Sequence, residues 1–288
     1  SQIIENGDLE YPFVKPINSN PKVVNPLVYR PLRGLGVIEQ DDILNKWNLD
    51  NFKTILTADE KDPVNSDIYY IGGLYKYPYA EEAYFSFPSV YQHFEKYFIG
   101  DKEFANDGVL DIQFAASRNG INWIRYDRQS FVNRGLPGEQ DSGLTFSTGY
   151  FFREGNYLYQ YYKGWPWTHQ SYRTLTDKEK NNKKNWGKGY IGLVKHRMDG
   201  FVSLDAKLEE GTFVTPLIKF KGNKLLLNVN VSAMGYINVS ILDKNDREIK
   251  NFSLKNSDKI VDNNTEFVAT WRGNSDLSSL SNKKIKLK

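Results

Sequence analysis

Asn106–Trp123 reads NDGVLDIQFAASRNGINW, and its pattern decides the fold class. Val109–Ala116 is a run of β-branched, aromatic and small residues, closed on both sides by turn formers. Asn119-Gly120 supplies the positive φ that a two-residue hairpin turn requires. The stretch therefore reads as strand, tight turn, strand, with the second strand starting near Trp123. Leu35–Trp47 (LGVIEQDDILNKW) and Gly189–Leu204 (GYIGLVKHRMDGFVSL) share the layout. Aligning Asp42, Asn119 and Asp199 gives spacings of 77 and 80 residues. A repeat of about four strands at that spacing is the pattern of propeller blades.

Working outward, strand signals dominate. Ile68–Leu74, Ala83–Phe87, Tyr157–Tyr162, Leu225–Val231 and Tyr236–Leu242 are each rich in β-branched or aromatic residues and bounded by Gly, Pro, Asn or Asp. Glu39–Trp47 and Asp177–Asn182 have room for a turn or two of helix, without the apolar period of a core helix. Past Lys207 lysine becomes frequent and turn signals crowd together. Seven short strands at roughly ten-residue spacing there read as a β-sandwich. The expected organisation is all-β: blades of a partial or complete five-bladed propeller over residues 1–207, then a small sandwich over 208–288. The basic residues of Lys283–Lys288 alternate along a final strand.

Composition narrows the function classes. The chain has 288 residues, a net charge of +3, 15% aromatic residues and no cysteine. The charge excess is too small for a nucleic-acid footprint. The absence of Cys excludes structural disulfides, thiolate metal sites, iron–sulfur clusters and a Cys nucleophile. No apolar run of about 18 residues exists to span a membrane. No secretory leader is visible, and the opening Ser1 suggests a trimmed start. No cofactor motif stands out, neither a phosphate-cradling glycine loop nor a nucleophile elbow. The three His are too far apart in sequence to show metal-ligand spacing, so no metal is expected. Oligomeric state has no signature in the sequence.

Asn106–Trp123 resembles the strand–turn–strand of five-bladed β-propeller sugar hydrolases. So do Met198–Ala206 (MDGFVSLDA), Gly211–Asn228 and Trp271–Leu280. Together they resemble a group of bacterial proteins of glycoside hydrolase family 32-like or 43-like type, which join a propeller to a C-terminal β-sandwich. The resemblance covers residues 30 to 288. It implies a carbohydrate ligand, cleavage by paired carboxylates, and export, since polysaccharides are met outside the cytoplasm. Five units are needed to close such a ring, and about three are legible. The resemblance therefore implies a C-terminal portion, lacking an earlier blade that carries one further carboxylate.

Glycosidic cleavage needs two carboxyl groups across the bond. Asp67 and Asp141 each stand just before a strand, 74 residues apart, nearly one repeat. Equivalent places in neighbouring blades would aim both into one funnel. Glu139, in Gly138–Asp141 (GEQD), joins them as a general-acid candidate. An Asp in that position also serves as a turn cap. Gly164–Tyr172 (GWPWTHQSY) crowds Trp165, Trp167, His169 and Tyr172 into one connection, and aromatic rings stack on pyranose faces. Filling an inter-blade gap is the competing role of those tryptophans. Tyr91 and His93 form a second mouth-like segment. Asp107 is a hydroxyl-binding candidate within a turn-forming Asn-Asp-Gly. Arg33, with Arg30, can hold a carboxylate or hydroxyl pair in a fork, and a surface or inter-blade salt bridge is the competing, slightly favoured role. Asp111 and Arg118 read as ties between strands. A non-catalytic carbohydrate-binding propeller is the alternative reading.

Overall fold

The computed structural model describes residues 2–3, 33–42, 44–70, 72–171, 178, 189–232 and 234–288. Arg30, Tyr172 and, apart from Lys178, the segment Thr174–Trp186 with its expected helix lie outside them. The described chain is all-β, with 44% strand, 6% helix and no helix of seven or more residues.

In chain order the strands are β1 (Gln2–Ile3), β2 (Gly34–Val37), β3 (Glu39–Gln40), β4 (Lys53–Thr57), β5 (Ser66–Tyr70), β6 (Leu74–Lys76) and β7 (Tyr84–Ser86). They continue as β8 (Ser89–His93), β9 (Tyr97–Ile99), β10 (Lys102–Phe104), β11 (Gly108–Ser117), β12 (Trp123–Val132), β13 (Leu144–Glu154), β14 (Tyr157–Trp165) and β15 (Tyr190–Arg197). The last five are β16 (Ile218–Lys219), β17 (Leu226–Asn230), β18 (Ile241–Leu242), β19 (Asn263–Val268) and β20 (Lys284–Leu287). The chain divides into two compact units. Unit 1 comprises Ser1–Glu154 and Leu158–Lys195, and unit 2 comprises Gly155–Tyr157 and His196–Lys288. The sequence boundary at 207/208 falls inside unit 2.

Unit 1 is organised around β11, which is buried almost end to end. Leu110, Ile112 and Phe114 make one face apolar, and on the other Val109 and Ala115 flank the buried Asp111 and Gln113. Its first half pairs antiparallel with β8, its second half with β7, and its other edge with β12. Near its start it makes a parallel bridge to β13 at Leu110↔Leu144. The nine-stranded sheet runs β15-β14-β13-β11-β7-β6, with β12, β8 and β5 branching from it. Among the described residues this sheet does not close. The neighbouring strand partners the polar residues on β11: Ser130 Oγ donates to Asp111 Oδ2 at 2.7 Å, and Arg125 Nη1 to Gln113 Oε1 at 3.1 Å. Arg125 also pairs with Asp62, both side chains 1% exposed.

Four local expectations are corrected. Asn119-Gly120 is not the centre of a two-residue turn: five residues, 118–122, separate β11 from β12. Asn119 Oδ1 accepts from the backbone N–H groups of Ile121 and Asn122, and Ser117 Oγ from that of Gly120. Side-chain capping thus stabilises a wider loop. Glu39–Trp47 forms no helix among its described residues. Glu39–Gln40 is strand, and Asp42 Oδ1 accepts from the N–H of Leu44 in a turn. No strand follows Asp199-Gly200, and Tyr236–Leu242 is strand only at Ile241–Leu242.

Unit 2 holds two small sheets, β16-β20-β18 and β17-β19. Its core gathers Val229, Val239, Ile241, Phe252, Ile260, Trp271, Leu280 and Ile285. Trp271 sits edge-on to Phe252 at 5.2 Å, and its Nε1 donates to the Val239 carbonyl at 2.8 Å. The final strand buries Ile285 between exposed Lys284 and partly exposed Lys286.

Candidate functional site

The pairing of strands positions the candidate residues. β5 and β11 are each antiparallel to β8, so they run in one direction, and β13 runs parallel to β11. The starts of β5, β11 and β13 therefore share one end of the sheet with the end of β8. The Gly143 N–H donates to the Trp165 carbonyl at 2.9 Å, which brings the end of β14 there too. Asp67, His93, Asp107, Asp141 and Trp165 all lie at these strand ends.

Two clusters form at this end. In the first, Asp67 is fully buried, with Oδ2 3.2 Å from His93 Nε2 and accepting from the Arg33 N–H at 3.4 Å. The buried Tyr91 ring lies 3.6 Å from the His93 ring and 5.2 Å from that of His169. Tyr69 is edge-on to Tyr91 at 5.3 Å and hydrogen-bonded through Oη to His169 Nε2 at 3.2 Å. The Arg33 guanidinium covers the Tyr69 ring at 4.1 Å. Arg33, Asp67, Tyr91, His93 and His169, scattered over the sequence, are thus one connected group.

Asp107 borders that group and is sealed. Its Oδ1 accepts from the N–H groups of Gly108 and Gln170 at 2.8 and 2.7 Å, and its Oδ2 from Tyr97 Oη and Thr168 Oγ1 at 2.5 and 2.9 Å. Burial, then the bond to Asp107, pushes the Tyr97 phenol up to about 12. These bonds clamp the loop that carries His169 onto the start of β11, where the His169 N–H donates to the Gly108 carbonyl at 3.0 Å.

The second cluster is acidic. Tyr162 and Tyr190 both donate to Asp141 Oδ2, at 2.9 and 2.7 Å, and contact one another through their hydroxyls. Burial raises both phenols. For Tyr162 the bond to Asp141 and the charges of Asp141 and Glu139 add to this against an opposing bond from Tyr190, and for Tyr190 the bonds to Tyr162 and Asp141 add to it. Both therefore stay protonated donors. A Cβ on Gly135 would collide with Asp141 Oδ1 and lie 2.6 Å from Glu139 Oε2, so both carboxylate oxygens lie within 2.6 Å of one point. A Cβ on Gly164 would lie 2.5 Å from Tyr190 Cε1 and 2.6 Å from Asp141 Cβ. These glycines make room for the carboxylates and a ring. Glu139 is exposed, with Oε2 accepting from the Leu136 N–H at 2.6 Å.

Trp165 packs against the Tyr91–Leu110–Leu144 core with Lys163 Nζ 4.8 Å over its ring. Trp167 is half-buried, its backbone carbonyl against Gly143. Sequence reasoning missed Tyr69, Tyr162, Tyr190 and Gln170. Gly164 was the available signal for the two phenols, because a glycine inside a strand marks close approach of another group.

Among the described residues no group of three or more His, Asp or Glu side chains is placed to hold a metal ion. None of their helices is long and apolar enough to cross a membrane. No family model matches the chain. No curated protein and no solved structure matches it either.

Proposed function

We propose that the chain is an exported glycoside hydrolase-type module acting on an oligo- or polysaccharide, with unit 1 as blades of a five-bladed propeller and unit 2 as a β-sandwich. The observation that carries this reading is the acidic cluster: two carboxylates flank Gly135, and one is held by two phenols at the sheet end shared with Asp67 and the ring cluster. Two small sheets closing over one apolar core support the sandwich.

In this reading Glu139, the exposed carboxyl, protonates the leaving oxygen. Asp141 is oriented by Tyr162 and Tyr190, and Glu139 is held by the Leu136 N–H. Asp67 is the partner carboxylate that stabilises positive charge at the anomeric carbon. Tyr91, His93, Trp165, Trp167 and His169 shape the sugar subsite. One observation favours binding without cleavage: Asp67 and Asp107 both have partners within the protein, as scaffold carboxylates do.

Reducing-end release from an oligosaccharide panel tests the choice. Glu139→Gln and Asp141→Asn should each slow turnover about 10²–10⁴-fold while the ligand-induced rise in melting temperature persists. A sugar that is bound but never cut selects the binding module. Neither binding nor cleavage of any sugar removes both readings.

A further inference from the structure

We infer that Arg33 anchors a carboxylate of the substrate, and that the sugar recognised is a uronic acid. This rests on the proposed carbohydrate function and names the substrate class of that same site. Arg33 is fixed from both sides: its N–H reaches Asp67 Oδ2, and its carbonyl accepts from the Ile68 N–H at 3.2 Å. Its guanidinium carbon lies 4.1 Å over the Tyr69 ring. Yet Nη1 is buried and has no hydrogen-bond partner among the described residues.

A guanidinium is a permanent cation, and burying one of its N–H groups unpaired is costly. Gln170, 6% exposed and next to His169 in sequence, likewise has its buried Oε1 without a partner among the described residues. One unmet cationic donor and one unmet acceptor thus accompany the ring group Tyr69–Tyr91–His169. A uronate answers each of them. Its planar carboxylate fits the guanidinium fork. A ring hydroxyl donates to Gln170. Its apolar face stacks on an aromatic ring. A neutral hexose leaves the guanidinium N–H without a charged acceptor.

The test uses the whole 288-residue chain. Uronate tri- and tetrasaccharides, the same compounds with carboxyls reduced to alcohols, and sulfated neutral oligosaccharides are compared by calorimetry. The uronates should bind at least tenfold tighter than their reduced forms. Arg33→Ala should erase that difference, and Arg33→Lys should restore part of it. Urea unfolding of each variant, followed by tryptophan fluorescence, reports that it is folded. Equal binding of uronates and reduced sugars, or a preference for sulfated sugars, overturns this inference and leaves the proposed function standing. If no sugar of any kind binds, both fall.

Discussion

The two units are held together by different chemistry. Of the buried polar and charged side chains among the described residues, Ser240 alone belongs to unit 2, and all the others, from Ser66 to Gln170, belong to unit 1. Unit 2 is an apolar core around Trp271. Unit 1 carries Asp67, Asp107, Asp111, Gln113, Arg125, Asp141 and Thr145 inside, each engaged by a hydrogen bond or ion pair. Buried polar groups need partners with correct geometry and gain little net stability from them. In unit 1, Asp67, Asp107 and Asp141 gather at one end of the sheet, while Asp111, Gln113 and Arg125 tie β11 to its neighbours further along.

The contrast can be broken or sharpened, starting with the largest effect. Trp271→Ala should cost about 4 kcal/mol, with amide exchange accelerating at Val229, Ile241 and Ile285. Continued protection there would mean that unit 2 does not depend on its apolar core. Arg125→Ala leaves the Asp62 carboxylate buried without its main partner and should cost about 3 kcal/mol in urea unfolding. The double change Arg125→Met with Asp62→Leu should recover most of that loss, because replacing both partners removes the stranded charge. Asp107→Asn puts an amide where Tyr97 and Thr168 donate. It should cost about 2 kcal/mol and weaken sugar binding by loosening the His169 loop, both readable from a thermal-shift series.

The smallest effect is in the pH dependence, where the units have opposite signs. Burial raises Asp111 above its ordinary 3.8, with Ser130 and Arg134 acting against it. The folded chain therefore keeps this proton longer than the unfolded one. That contribution is complete below 3.8 and is lost as pH rises through the raised value. In unit 2, Asp243 is lowered by the backbone N–H groups of Arg247 and Asn245, Asp258 by Thr270 and Gly273, and Asp276 by Ser278. Their contribution is present above 3.8 and is lost as pH falls through the lowered values. Urea midpoints measured across the acid range should fall less steeply on the alkaline side in Asp111→Asn, and less steeply on the acid side in Asp258→Asn. A slope unchanged in either variant would remove that residue from the account.

Much of the fold was legible because it is local. Val109–Ala116 is rich in β-branched and aromatic residues between turn formers, so it read as a strand, and it is the centre of the sheet. The ends of β11 and β17 were read to within one residue, while β14 runs three residues past its expected end, through Gly164. The width of the loop after β11 was not legible. Ser117 and Asn119 cap it with side-chain hydrogen bonds, and a dipeptide pattern does not reveal those. The reading of Glu39–Trp47 as helical failed because Glu39 and Gln40 pair with Gln2 and Ile3, a partnership far off in the chain.

The site divides in the same way. The sequence by itself determined that the chain is all-β, that aromatic rings and carboxylates crowd the strand ends, and that no thiol chemistry is open to it. Residue type and short-range pattern carry that information. Only the tertiary structure decided that Arg33, Asp67, His93 and His169 meet, that Asp107 is sealed by four donors, and that Asp141 is held by Tyr162 and Tyr190. Those outcomes depend on the order in which β5, β8, β11, β13 and β14 pair. Pairing between distant strands is set by the burial of the whole sheet, and no short window of the sequence contains it.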